Sequence, residues 1–131
     1  MKKKIIFYED EENYRPVEEF LDELDSKTRK KVGARIELLG NHWAELRRPY
    51  VDYLQNGLYE LRVVHFGKQA RVIYAYMFKD YIVLLHGFNK CTDDVPPEDM
   101  SKAKYRMIDF QNRINQGLIN LSKLEEGQVK L

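Results

Sequence analysis

The sequence is poor in cysteine and histidine. Cys91 is the single cysteine among 131 residues, and the three histidines, His42, His65 and His86, are scattered along the chain. One cysteine cannot form an internal disulfide, which agrees with a reducing compartment. These residues also lack the spacing of zinc ligands. We therefore expect no bound metal and no cofactor.

Long apolar runs are missing too. The longest run surrounds residues 81–85 and is broken by His86 and Gly87, so it falls well short of the roughly 20 residues of a transmembrane helix. At the N-terminus only three apolar residues follow the basic ones, fewer than a signal peptide contains. We therefore expect a cytoplasmic protein that does not act at a membrane.

The motifs of several hydrolase classes are absent as well. The sequence has no glycine-rich phosphate loop, no nucleophile elbow and no DxD-type carboxylate cluster. What it does have is an apolar fraction of 44% in 131 residues, which fits one compact domain with a single core.

The first half of the chain predicts a strand followed by two helices. Residues 3–7 are strand-like, and Pro16 suits the first turn of a helix. Asp25-Ser26 breaks that helix and caps a second one. Gly40-Asn41 predicts that the second helix ends in a left-handed C-cap. Residues 42–56 are predicted to be a connection that ends in an Asn56-Gly57 turn.

The second half predicts an antiparallel meander and a last helix. Residues 58–66, 71–78 and 81–88 are rich in Val, Ile, Tyr and Phe, and Lys79-Asp80 is predicted to be a two-residue hairpin loop. A helix is expected from Pro96-Pro97 to about Gln116. We therefore expect one domain over residues 1–116, with residues 117–131 as a flexible tail or a segment held by a partner.

The strand alternation predicts where charged side chains point. Tyr59, Leu61 and Val63 lie on one face of the first meander strand and are expected to pack on the helices. Glu60 and Arg62 then point to the other, open face, and Arg71 lies on the next strand of the meander. Lys90 follows the last strand.

These residues have the chemistry that metal-free RNA cleavage needs. Cleavage requires a base for the 2′-hydroxyl, an acid for the leaving oxygen and cations for the phosphoryl charge. Arginine suits the last task because its planar fork donates two parallel hydrogen bonds to phosphate. Candidate catalytic residues are therefore Arg62, Arg71, Lys90 and Glu60, with Glu60 either a base or a salt-bridge partner. The alternative is that they are ordinary solvated charges.

The middle of the chain has a local excess of positive charge. Residues 57–90 contain five basic and two acidic residues, although the net charge of the chain is only +1. Such an excess favours a phosphate-bearing partner. Candidate contacts to RNA or the ribosome are Arg48, Lys68 and Lys102.

Several other side chains permit two interpretations. His65 and His86 have the chemistry of proton-transfer groups, or they are hydrogen-bonded histidines of the core. Tyr74 and Tyr76 share one strand face and suit either base stacking or core packing.

The order of the motifs resembles a known family. GLYELR at 57–62, RVIY at 71–74 and LLHGFNK at 84–90 resemble, in the same order, three signatures of the phage-derived Gp49-like HigB toxins in the RelE/ParE superfamily. Residues 16–21 and 35–39 look like the family's helical hairpin. Pro97-Glu98 with Ala103 and Arg106 looks like the start of its last helix. The resemblance covers roughly residues 5–112.

This resemblance implies both a fold and a function. The fold is the α+β RelE-like fold, in which an N-terminal strand and a helical hairpin pack on a small antiparallel sheet with a C-terminal helix. The function is that of a cytoplasmic type II toxin that cleaves mRNA in the ribosomal A site without a metal. By position, Arg62 and Arg71 take the phosphate-stabilising roles, and Lys90 is the lysine after the last strand.

The resemblance also implies the partners. These are the ribosome, mRNA and a helix-turn-helix antitoxin of the HigA type, through which alone the toxin meets operator DNA. We expect the antitoxin to cover the Arg62/Arg71 region, or to lock the helices so that the A site cannot admit the toxin.

The chain departs from the family pattern at three positions. Ala70 precedes Arg71 where an aromatic residue is usual, and Cys91 replaces a common second basic residue. Glu60 is lysine in the RelE branch, although glutamate is usual in the HigB-like branch. With fewer cations in the chain, we expect catalysis to depend more on ribosomal RNA.

Two other functions remain compatible with this fold. One is a ParE-like inhibitor of DNA gyrase that has no enzymatic activity. The other is an inactive member that only partners the antitoxin and regulates its operon.

Overall fold

A computed structural model describes residues 1–90 and 94–126. It has the predicted α+β architecture, and it is compatible with the RelE-like fold. The elements in chain order are β1 (Lys4–Phe7), α1 (Pro16–Glu23), α2 (Ser26–His42), β2 (Val51–Gln55), β3 (Leu58–His65), β4 (Lys68–Met77), β5 (Tyr81–Asn89), α3 (Pro97–Asn115) and α4 (Leu121–Glu126). None of the described helices is both long enough and apolar enough to cross a membrane.

The strands form one five-stranded sheet in the order β1-β5-β4-β3-β2. Strands β3 to β5 form the predicted antiparallel meander, and β2 extends it as a further antiparallel strand. Strand β1 pairs in parallel with β5, with Lys4 opposite Tyr81. The sheet is therefore mixed, because the N-terminal strand joins the sheet as one of its edges.

The prediction that residues 42–56 are a connection is wrong for Val51–Gln55, which forms the edge strand β2. Asn56 and Gly57 both have positive φ values, of 50° and 83°. Two successive left-handed residues make the tight turn that an Asn-Gly pair favours between antiparallel strands. Since such a turn joins two strands, the Asn56-Gly57 signal already implied a strand before it.

Both faces of the sheet are covered, which corrects the expectation of a single core and an open second face. On one face, Leu61 and Val63 pack with residues of α1 and α2. On the other face, Ile73 and Ala75 pack with Ala103 and Phe110 of α3. Helix α3 lies over β5 and β4, because these strands are apolar on both faces.

The N-termini of α1 and α2 are confirmed. Pro16 opens α1, and Val17, Phe20 and Leu21 are buried on one side of it. Asp25 caps α2, since its carboxylate accepts hydrogen bonds from the Thr28 backbone N–H at 3.1 Å and from the Thr28 hydroxyl at 2.7 Å.

The predicted end of α2 is wrong, because the helix continues through Gly40 to His42. A Cβ at position 40 would lie 3.1 Å from Ile5 Cγ1 and from the Lys3 carbonyl oxygen. Glycine at this position therefore allows α2 to approach β1 closely, and it does not terminate the helix.

Two further boundaries differ from the prediction. Met77 pairs with Tyr81, so the β4–β5 loop has three residues, of which Phe78 and Lys79 adopt positive φ. In the segment expected to be a tail, Leu121–Glu126 forms α4, and Leu121 and Leu124 pack against the core under α3. Residues 127–131 of that segment lie outside the described residues.

Candidate functional site

Three of the four predicted catalytic residues meet on one face of the sheet. Arg62 of β3 is the direct cross-strand partner of Arg71 of β4, so both side chains leave the same face. Glu60 lies two residues before Arg62 on that face. Its Oε1 accepts a hydrogen bond from Arg62 Nε at 2.7 Å and lies 3.4 Å from Arg71 Nε.

Strand β2 adds a second carboxylate to this cluster. Asp52 is paired with Glu60, and its Oδ2 accepts a hydrogen bond from Arg62 Nη2 at 2.9 Å. Its Oδ1 accepts from Arg48 Nε at 3.0 Å, which brings a predicted RNA contact into the same cluster. We call Arg48, Asp52, Glu60, Arg62, Gln69 and Arg71 the arginine network; it contains three cations and two carboxylates.

Arg71 is the buried and incompletely paired member of the arginine network. It is 4% exposed, and its Nη2 donates to Gln69 Oε1 at 3.0 Å. Its Nε and Nη1 meet no hydrogen-bond acceptor within residues 1–90 and 94–126, because the approach of Nε to Glu60 brings attraction without hydrogen-bond geometry. Burial lowers the pKa of this guanidinium below its ordinary value, while Glu60 opposes the shift and Arg62 adds to it.

Lys90, the fourth predicted catalytic residue, follows the end of β5 and lies opposite Gln69. Its backbone N–H donates to the Gln69 carbonyl oxygen at 2.8 Å, so it leaves β5 directly across from the residue that holds Arg71. Cys91, the site of the predicted missing cation, lies outside the described residues.

His86 belongs to a second polar cluster on the same sheet face. Its Nε2 lies 2.6 Å from Asp99 Oδ1, and its Nδ1 lies 2.9 Å from Arg106 Nη1. Because arginine can only donate, Nδ1 is the acceptor and Nε2 carries the hydrogen. Burial lowers the pKa of His86, the bond to Asp99 opposes this, and Arg106 adds to it. The result is a neutral, positioned histidine. We call His86, Asp99 and Arg106 the histidine cluster.

The other predicted contacts lie away from the arginine network. Lys68 pairs with Asp25 at 2.8 Å, beside the start of α2. Lys102 on α3 lines a cleft of about 540 Å³ between α3 and the loop that follows β1. Tyr74 is fully buried, which excludes base stacking for it. Among the described residues no group of three or more metal-ligating side chains is placed to hold a metal ion.

Sequence reasoning missed Asp52, Gln69, Asp99 and Arg106. The Asn56-Gly57 turn was the available signal for Asp52, because it sets the register that places this residue opposite Glu60. Asp99 carries no such signal, and Arg106 was seen only as part of the motif of the last helix. They reach His86 only because α3 docks on the sheet, 13 and 20 residues further along the chain.

The sequence matches one family over residues 19–108, described as phage-derived protein Gp49-like (DUF891). The matched segment contains the whole arginine network and the histidine cluster. The chain belongs to the Gp49-like family. This is the HigB-like toxin family of the RelE/ParE superfamily, which confirms the resemblance seen in the motifs.

Membership of the Gp49-like family indicates the toxin of a toxin–antitoxin pair, and it implies an antitoxin partner. No curated protein matches the sequence significantly. The arginine network is therefore interpreted from its own geometry and from the family.

Proposed function

We propose that the chain is a ribosome-dependent endoribonuclease that cleaves mRNA in the A site by metal-free attack of a 2′-hydroxyl on the adjacent phosphate. The observation that carries the proposal is the buried guanidinium of Arg71, whose Nε and Nη1 have no acceptor among the described residues. A buried polar group without a partner is unfavourable, and a phosphoryl group supplies the oxygen acceptors that these two donors lack.

The neighbouring residues take separate roles in this proposal. Arg62, partly exposed beside Arg71, and Lys90 add positive charge around the same phosphate as its charge grows in the transition state. Glu60 faces both guanidinium groups, so we assign it the positioning of the two arginines.

Our inference that the ribosome is needed is supported by the state of the groups that could transfer protons. The carboxylates of Glu60 and Asp52 both face guanidinium groups, and both ring nitrogens of His86 are engaged. The arginine network therefore supplies charge stabilisation, and we infer that the ribosomal A site orders the mRNA and completes the proton transfer.

The test is primer extension on a reporter mRNA in a reconstituted translation system, with and without ribosomes. We expect breaks only with ribosomes, and no breaks with Arg71→Ala. The matched control is Lys104→Ala, which removes an exposed cation of α3 and should cleave normally. Growth arrest by a folded chain that makes no breaks would contradict the proposal and favour a target such as DNA gyrase.

We also propose that a HigA-like antitoxin neutralises the toxin by covering the arginine network or by preventing entry into the A site. In the complex, the side chains of Arg62 and Arg71 should be protected from chemical modification, or the bound antitoxin should overlap the ribosome. A complex that shows neither would contradict this.

A further inference from the structure

The β3–β4 hairpin turns through two residues, Phe66 and Gly67, between the paired residues His65 and Lys68. Both turn residues are left-handed, with φ of 47° and 80°. The β2–β3 hairpin makes the same kind of turn with Asn56 and Gly57. Asparagine suits the first position of this turn, whereas a bulky side chain is strained there.

The strain at Phe66 is not offset by packing. Its side chain is 91% exposed, and the ring contact that it makes is with His65, at 4.6 Å between centroids. Strained and exposed residues of this kind concentrate where a protein meets a ligand. Phe66 therefore contributes little to folding and is free for recognition.

The surroundings of the hairpin tip are strongly basic. Lys31 Nζ donates to the Val64 carbonyl oxygen at 2.5 Å, and Lys68 pairs with Asp25, so the tip lies against the first half of α2. Residues 26–36 contain five basic residues and no acidic ones: Lys27, Arg29, Lys30, Lys31 and Arg35. This is the charge complement of a polyanion.

We propose that Phe66 is a stacking platform for a base of single-stranded RNA whose phosphates run along the basic half of α2. The proposal deepens the proposed function and rests on it for the choice of RNA. An exposed ring beside a row of cations is the arrangement by which proteins hold single strands without reading their sequence. A lone ring lacks the apolar area for insertion into a bilayer, so RNA fits better than an anionic membrane.

The position of Phe66 relates this site to the arginine network. Arg62 lies four residues earlier on β3, which corresponds to about 13 Å along an extended strand. The arginine network lies on the face of the sheet opposite to the one that α2 covers, so the stacked base belongs to a nucleotide away from the cleaved bond. This separation makes Phe66 a binding residue outside the reacting atoms.

The test uses a 2′-O-methyl RNA oligonucleotide that carries the fluorescent base 2-aminopurine. It has no attacking hydroxyl, so binding is measured independently of cleavage. We expect quenching upon binding to the wild-type chain and to Phe66→Trp. For Phe66→Asn we expect roughly 5- to 150-fold weaker binding with little quenching, the range given by loss of one base–aromatic stack. Tyr105→Ala, which removes another exposed ring, should bind like wild type.

Thermal unfolding separates recognition from folding. Phe66→Asn introduces a residue that the turn prefers, so the Tm of this variant should rise while its RNA binding falls. Equal binding by Phe66→Asn and wild type would overturn the inference. So would an equal loss in Tyr105→Ala, or Phe66-dependent binding to phosphatidylserine vesicles without binding to RNA. If ribosome-dependent breaks are absent but Phe66-dependent quenching persists, the cleavage proposal fails and the stacking site stands.

Discussion

Two polar clusters occupy the same face of the sheet, and they differ in how completely their donors are paired. In the histidine cluster, both ring nitrogens of His86 have partners, and Arg106 Nη1 also donates to the Leu85 carbonyl oxygen at 3.0 Å. In the arginine network, two nitrogens of Arg71 have none among the described residues.

Because of this difference, we interpret the histidine cluster as structural and propose the arginine network as the functional one. A completed set of buried hydrogen bonds stabilises the packing of α3 on β5 and leaves nothing for a ligand. An incomplete set is unfavourable for folding, and it remains available to bind an anion. Substitutions in the two clusters should therefore have opposite consequences for stability and for activity.

The largest effect is expected when Arg71 is replaced by methionine. Removal of its charge should reduce cutting on the ribosome by roughly 100-fold or more, the scale of losing one preorganised donor to transition-state charge. Stability should be unchanged or higher, because a poorly paired buried cation is replaced by apolar volume. Primer extension and urea unfolding of the same preparation measure both. A large loss of stability without loss of cutting would reverse our assignment of the two clusters.

Replacement of Asp99 by alanine should have the opposite effect. Loss of the 2.6 Å contact leaves His86 Nε2 without its acceptor, which should reduce the free energy of unfolding by about 1–3 kcal/mol. Cutting per folded molecule should stay within about twofold of wild type, since the arginine network is untouched. Denaturant unfolding and cutting rates normalised to folded protein provide the measurement. If cutting is lost from folded protein, the histidine cluster takes part in catalysis.

The pH dependence of stability sharpens the same comparison. Burial lowers the pKa of His86 from its ordinary value of 6.5, so the unfolded chain takes up the proton more readily than the folded one. Stability should therefore be highest above pH 6.5 and should fall as the pH drops from there towards the lower pKa of the folded state. Unfolding curves at a series of pH values should show a flatter profile in His86→Gln, and an identical profile would exclude His86 as the source.

The smallest effect is expected at the rim of the arginine network. The side chain of Arg48 is 75% exposed, so Arg48→Ala should change stability by less than about 1 kcal/mol. Without Arg48, Asp52 keeps the Tyr53 backbone N–H at Oδ1 and Arg62 at Oδ2, so cutting should fall only a few-fold. Comparison of Arg48→Ala with Arg71→Met in one assay shows whether burial or charge alone sets the contribution of an arginine.

The sequence was informative where local rules decide the structure. Alternation in β3 placed Glu60 and Arg62 on one face, and the cap at Asp25 followed from side-chain chemistry. Helix α3 could not be placed by such rules. Its docking depends on the apolar residues of β4 and β5. From sequence alone, these residues fit a strand buried on both faces as well as a strand that is open to solvent on one face.

The same limit applies within the candidate site. Arg71 is buried with unpaired donors because of the combined positions of β2, Gln69 and β5. These are relations between elements, and no short motif encodes them. The family signatures identified the residues, but their pairing became visible only in the folded chain.

The parallel pairing of β1 with β5 has a consequence for the order in which the protein forms. Lys4 cannot pair with Tyr81 until Tyr81 has been synthesised. At about 5–20 residues per second, this takes several seconds. During that time the first strand of the nascent chain has no partner. Strand β5 then joins the oldest part of the chain to the newest, and it places Phe88 opposite Arg71. The nascent toxin therefore completes its five-stranded sheet and the surroundings of Arg71 in the same late step.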